Sequence, residues 1–196
     1  MTLSLNPSDR ATVERQLSGT EHVEWIGRPD PSRHLTRGDL FLVPFSVLWT
    51  AFTIVWESTV IAEGRDAFFA LWGIPFVLLG VYMVIGRFFY KAYRARRTLY
   101  AVTNRRVIVV MRRARGETVE ATYLRAIPSI STRAESRGHG TVAFGTVSAA
   151  GGWYGNTGME LLARGSAGNV GVSFYDIDDP RAVADLVERL REHDRS

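Results

Sequence analysis

Two nearly unbroken apolar stretches organise the chain, from Leu40 to Ala62 and from Ala67 to Gly86, with only Glu63, Gly64, Arg65 and Asp66 between them. About 20 apolar helical residues cross a bilayer core about 30 Å thick, so the pattern predicts two membrane-spanning helices, at 39–62 and 67–90. The second is expected to run on into a basic juxtamembrane stretch at 91–97. It carries no charge between Asp66 and Arg87, and each of its Leu, Ile, Phe and Val residues favours insertion by roughly 0.3–0.6 kcal/mol. Residues 1–38 are expected to form a polar N-terminal segment, 63–66 a short loop, and 98–192 a domain.

From Thr98 the hydrophobic period changes from helical to two. Runs rich in Val, Ile, Thr and Tyr lie at 98–102, 105–112, 118–123, 127–134, 141–147, 159–163 and 169–175. Turn formers separate them, at Thr103-Asn104, Arg115-Gly116-Glu117, Gly138-His139-Gly140 and the Gly-rich stretch 149–158. The reading is a seven-stranded antiparallel barrel or sandwich. Asp179 before Pro180 then signals a helix start, and Val183, Leu186, Val187 and Leu190 share one face of a closing amphipathic helix. Upstream, Asn6-Pro7 suggests a short helix with an apolar pair at Val13 and Leu17, and residues 22–26 read as a short extended segment.

Charge orients this arrangement. Arg28, Arg33 and Arg37 precede the first span, and Arg87, Lys91, Arg94, Arg96 and Arg97 follow the second; the loop balances Arg65 against two acids. The positive-inside rule places both termini in the cytoplasm. The net charge of +4 is carried by arginine, since Lys91 is the only lysine. No apolar leader-like run precedes the first span.

Two features are candidates for helix packing or for a polar path. Ser46, Thr50, Thr53 and Glu57 recur on one face of the first span, and Gly73 and Gly80 are the small residues of the second. The expectation is that the stripe faces the partner helix or another subunit, leaving a homo-oligomer open. Candidate contacts for anionic lipid or a protein partner are Arg94, Arg96 and Arg97 beside the membrane, Arg112, Arg113 and Arg115 around one turn, and Trp153 and Tyr154 in the Gly-rich stretch.

Several chemistries find no support. The chain has no cysteine, which excludes disulfides, thiolate metal sites and cysteine nucleophiles. His22, His34, His139 and His193 lack metal-ligand spacing. Gly138 to Ala143 matches a dinucleotide fingerprint by letter, but a β-patterned run follows it where a helix is required. No cofactor, nucleic-acid partner or catalytic constellation is expected.

The run Tyr100-Ala101-Val102-Thr103-Asn104-Arg105-Arg106-Val107-Ile108, together with the strands-then-helix order, resembles the bacterial pleckstrin-homology-like domain family. Glu24-Trp25-Ile26-Gly27-Arg28-Pro29 is similar to the tryptophan-containing segment that precedes two spans in its membrane-anchored members. The resemblance implies a non-enzymatic binding or scaffolding module at the bacterial inner membrane. Eukaryotic relatives bind phosphoinositides in a roomy loop between the first two strands, and that loop is read here as the tight Thr103-Asn104 connection, so their lipid site is not expected. The alternative is an oligomeric membrane assembly whose polar stripe forms a transport or sensing path regulated by the domain.

Overall fold

The computed structural model describes residues 7–32, 38–64, 67–134, 138–146, 156–159 and 170–194. Helix α1 (Pro7–Glu14) and strand β1 (Val23–Gly27) precede two long apolar helices. These are α2 (Asp39–Ala62) and α3 (Ala67–Val81), the latter passing through a π-helical turn (Tyr82–Gly86) into α4 (Arg87–Arg97). Among the described residues six strands follow: β2 (Thr98–Thr103), β3 (Arg106–Arg113), β4 (Gly116–Tyr123), β5 (Ile130–Ala134), β6 (His139–Thr146) and β7 (Val170–Asp178). Helix α5 (Pro180–His193) closes the chain. As its sequence predicts, Asp179 caps it, accepting from the Ala182 N–H at 3.2 Å with Pro180 in the first turn.

The strands form two antiparallel sheets, ordered β1-β2-β3-β4 and β5-β6-β7. One core fills the space among the sheets and α5. It contains Tyr100, Val102, Val107, Phe144, Phe174 and Val187, all buried, with Trp25 packed against them. The aromatic centre is Phe174, stacked on Tyr100 at 4.6 Å and on Trp25 at 5.8 Å, and met edge-on by Phe144 at 5.0 Å. A second, smaller cluster of Val13, Ile26, Leu99, Ala101, Ile108 and Val110 lies on the opposite face of the first sheet. Alternation along β2 divides Leu99 and Ala101 from Tyr100 and Val102, so both faces of this strand are covered and all six of its residues are buried.

Several sequence boundaries shift for identifiable reasons. The N-terminal segment, whose residues 22–26 read as extended, supplies β1 at Val23–Gly27, pairing Trp25 with Val102 and Ile26 with Ala101, so the first sheet draws on residues before 98 as well. The Thr103-Asn104 turn therefore joins the second and third strands, and the connection between the first and second is the whole of 28–97. The fifth strand starts at Ile130 instead of 127, beyond a 3-10 turn at Leu124–Ala126 and after Pro128, which has no N–H to donate to a ladder. The sixth starts at His139, so His139 and Gly140 belong to a strand and not to a turn. No helix N-terminus follows those glycines. Of the run at 159–163, residues 160–163 lie outside the described residues.

Helices α2 and α3 pack antiparallel. Thr50 faces Gly80 and Glu57 faces Gly73, with no room for a Cβ at either glycine: a methyl at 80 would meet Thr50 Oγ1 at 2.7 Å, and one at 73 would coincide with Glu57 Oε2. Thr50 and Glu57 of the polar stripe thus face the second apolar helix of their own chain. The hydroxyls of the stripe donate backwards along α2: Ser46 to the Val43 carbonyl at 2.9 Å, Thr50 to Ser46 at 2.6 Å and Thr53 to Thr50 at 3.0 Å. Both α2 and the continuous helix Ala67–Arg97 are long and apolar enough to cross a membrane.

Candidate functional site

Four segments meet where the apolar helices join the sheets. Arg87 opens α4 directly after the π-helical turn and is almost wholly buried. Its guanidinium pairs with the buried carboxylate of Asp39 at the start of α2, donates from Nε to the Met83 carbonyl at 2.7 Å, and reaches the Thr157 carbonyl at 3.3 Å. It also lies 4.3 Å from the centre of the Phe88 ring. One turn on, buried Lys91 lies 3.5 Å from Asp176 of β7. Asp176 accepts from Asn156, its carbonyl accepts from the Asp30 N–H at 3.0 Å, and its φ is 51°, in the left-handed region. Tyr82 donates to the Gly158 carbonyl at 2.6 Å. Gly158, at φ +83°, lies so close to the Arg87 backbone that a Cβ would strike it.

The cluster is two cations against two carboxylates. Arg87 Nη2 and Lys91 Nζ have no hydrogen-bond partner among the described residues. Buried pairs of this kind add little net stability, but they penalise any arrangement that separates the partners. The geometry therefore fixes how α2, α4, residues 156–158 and β7 meet. It offers no nucleophile with an adjacent base, and no group of three His, Asp or Glu able to hold a metal exists among the described residues.

A second polar cluster explains the most distinctive sequence run. Thr103 donates to Glu21 at 2.7 Å and accepts from the backbone N–H groups of Arg105 and Arg106 at 3.2 and 3.0 Å. Arg106 grips both oxygens of Glu21 at 2.9 Å and reaches the Gln16 carbonyl at 2.7 Å. The Asn104 side chain accepts from the His22 N–H at 3.0 Å, and Arg105 donates to Thr20 at 3.2 Å. Burial raises the Glu21 pKa, but hydrogen bonds from Arg106, Thr103 and the Ser18 N–H outweigh it and hold the carboxyl below its ordinary value. Glu21 in turn raises Arg106. The run at 100–108 is thus a clamp that docks the segment before the helices onto the strand after them. Its N-terminal counterpart works in the same direction. Trp25 enters the core, Gly27 leaves space for its ring, and Arg28 grips Asp9 at 2.7 and 2.5 Å while donating to the Arg96 carbonyl at 2.9 Å.

The expected contact residues fall into distinct groups. Pairing of Thr98 with Met111 puts the end of α4 beside the end of β3, so Arg96 and Arg97 share one end of the first sheet with Arg112, Arg113 and Arg115. Arg112 is committed internally: it donates to Thr12 and to the Ser8 carbonyl of α1 and lies 3.9 Å from Glu117. Arg97 stacks over Tyr93 at 4.4 Å. Arg96, Arg113 and Arg115 are exposed, and Arg94 is half-buried. The side chains of Arg113 and Arg115 make no hydrogen bond or ion pair among the described residues. Trp153 and Tyr154 lie outside the described residues. Within α4, Arg87 and Lys91 are turned inward to carboxylates, leaving the aromatic residues Phe89 and Tyr93 outside. Periodicity foreshadows that split, since 87 and 91 share one face and 89 and 93 another, but only Asp39 and Asp176 show which face is buried.

Comparison with protein-family models, with curated proteins and with solved structures finds no match.

Proposed function

We propose that this chain is an integral inner-membrane protein whose two spans tether a pleckstrin-homology-like binding or scaffolding module in the cytoplasm. The module recruits a protein partner or contacts anionic lipid and carries out no reaction. The carrying observation is the β1–β2 ladder, which joins the segment before the apolar helices to the segment after them. Neighbouring strands must lie on one side of any membrane, so a chain that enters lipid between them crosses it an even number of times. Two helices satisfy that condition. Their exposure agrees: only 22% of the apolar window of α2 and 17% of that of the Ala67–Arg97 helix is buried, whereas a soluble core helix would be covered.

The sheet arrangement supports the family reading, with four antiparallel strands, then three, then a closing helix. In this reading the spans occupy the connection between the first two strands, the place where the eukaryotic relatives hold lipid. Anchoring in lipid then takes the place of reversible headgroup capture. Tethering raises the local concentration of the module at the membrane, so a weak contact suffices for occupancy. The exposed, unpaired Arg113 and Arg115 are the first candidates for that contact. Bonding of the α2 hydroxyls to their own helix, with Gly73 and Gly80 closing the seam, weighs against a polar path between these two helices.

The test places a photo-crosslinking residue at 113 or 115 in full-length protein, in native membranes and in nanodiscs with and without anionic lipid. Crosslinks to anionic lipid, or to one defined polypeptide, are expected. Absence of both, or extraction of the unmodified chain from membranes by alkaline carbonate, refutes the proposal.

A further inference from the structure

The outer face of α4 is the least expected exposed surface of the molecule. Phe89 is 73% exposed and Tyr93 50%, one turn apart, on a helix whose opposite face buries two cations. Neither ring is isolated. Leu78, Val81 and Ile85 are exposed on the preceding helix, and the series 81, 85, 89, 93 advances in strict fours. In a regular α-helix each step of four overshoots a full turn by about 40°, and the wider π-helical turn at Tyr82–Gly86 offsets that drift. The apolar stripe of α3 therefore continues without a break along α4. The ion pairs of Arg87 with Asp39 and of Lys91 with Asp176 prevent α4 from rotating to hide it.

We propose that this stripe is a second seat on the membrane, with Phe89 and Tyr93 inserted in the headgroup zone of the leaflet from which α4 emerges and Arg96 and Arg97 reaching its phosphates. The proposal rests on the helices being membrane-embedded, as argued above. Length favours this occupant. The 31 residues from Ala67 to Arg97 span about 46 Å, against a hydrocarbon core of about 30 Å. Taking Arg87 as the edge of that core, Phe89 lies about 3 Å and Tyr93 about 9 Å further along the axis, while the headgroup layer is about 5–8 Å deep on each side. A tilt of the ordinary order of 20° brings both rings toward that layer, where aromatic side chains are favoured. The chemistry agrees, because the guanidinium of Arg97 stacked on Tyr93 carries its charge just beyond the ring. The sheets are then held against the leaflet instead of on a projecting stalk.

The absence of cysteine allows a direct test with single spin labels. Leu78→Cys, Phe89→Cys, Tyr93→Cys and Glu188→Cys, the last on the exposed side of α5, are made in the full-length chain and placed in phosphatidylcholine–phosphatidylglycerol vesicles. Accessibility to oxygen, which partitions into lipid, is compared with that to a water-soluble nickel chelate. The expected oxygen-to-nickel ratio is highest at 78, intermediate at 89 and 93, and lowest at 188. Ratios at 89 and 93 equal to that at 188, with 78 still in lipid, overturn the proposal and leave the anchor intact. Exclusion of both reagents at 89 and 93, with spin–spin broadening, assigns the stripe to a second copy and also overturns it. Nickel access at 78 refutes the anchor itself.

Discussion

Replacing Arg106 by glutamine tests whether the clamp at 100–108 holds β1 in place. The wild-type arginine makes two hydrogen bonds of 2.9 Å to Glu21 and one of 2.7 Å to the Gln16 carbonyl. The carboxylate it grips is almost wholly inaccessible, while Arg106 itself is 18% exposed. Removing one member of a buried pair costs about 3–5 kcal/mol, and the partial exposure of Arg106 lowers the expectation to about 2–3 kcal/mol. The loss falls on a local equilibrium, the release of residues 16–27 from the first sheet, because among the described residues β1 has a strand on one side only. At about 1.4 kcal/mol per decade, amide exchange of β1 should accelerate about 30- to 160-fold, while α5 and β6 keep their protection. The same release is expected on acidification. Since the Glu21 pKa is depressed in the folded protein, its contribution is complete above the ordinary value of 4.5 and is lost as pH falls through the lower folded value. Glu21→Gln should abolish that acid step. Hydrogen exchange of the full-length protein in nanodiscs is the assay. Unchanged protection of β1 in Arg106→Gln, or a uniform loss across both sheets, would refute the reasoning.

Other substitutions probe the remaining contacts. Arg87→Leu or Asp39→Leu alone breaks a buried ion pair and should lower stability in detergent by about 3–5 kcal/mol, whereas the double substitution should recover most of it; additive losses would show that the two side chains do not act as a pair. Gly80→Leu overpacks the seam against the Thr50 backbone and should weaken α2–α3 association by about 1–3 kcal/mol, read by denaturant titration in micelles; Leu78→Ala, at an exposed position, is the control and should change little. Gly158→Ala combines a strained φ with a clash against the Arg87 backbone, so the Tyr82 hydroxyl should lose its acceptor; tyrosine hydrogen-bond vibrations unchanged from wild type would count against this.

How far the structure could be read from the chain depends on the range of each signal. The apolar helices, most strand runs and the Asp179-Pro180 helix start are local patterns, and each is legible within about a dozen residues. The partner of β1 is not such a pattern. Residues 22–26 read as extended, but nothing in them names a partner 77 positions away at Val102, and the alternation of Trp25 and Ile26 makes sense only once both cores are known. The same gap disguised the connections, since a first strand hidden before the spans makes the Thr103-Asn104 turn look like the first loop. Arginine was ambiguous for a related reason. Arg112 reads as a candidate outward contact until Thr12 and the Ser8 carbonyl of α1 appear beside it, and nothing near Arg106 in sequence names Glu21 as its partner. Arg113 and Arg115 are exposed. The π-helical turn left no trace in composition, since Tyr82 to Gly86 is as apolar as its neighbours.

Splitting the sheet around the apolar helices also constrains how the molecule assembles. β1 precedes α2, while its ladder partner β2 follows α4. Closing an unstructured connection of that length carries an entropic cost that grows with the logarithm of the loop, and both apolar helices would remain exposed to water meanwhile. If the helices enter lipid first, as an antiparallel pair seated on Gly73 and Gly80, residues 38 and 97 return to the same side and the effective loop becomes short. The clamp at Glu21, Arg28, Thr103 and Arg106 then closes over ends already brought near each other. Insertion should therefore precede completion of the first sheet, and disrupting the helix seam should delay β1 docking without altering the clamp residues. In cell-free synthesis with vesicles, protease resistance at residues 28–32 is expected only after α4 has emerged and both helices are lipid-protected. Protection of 28–32 in chains made without any membrane would show that the sheet closes on its own and that the helices are passengers.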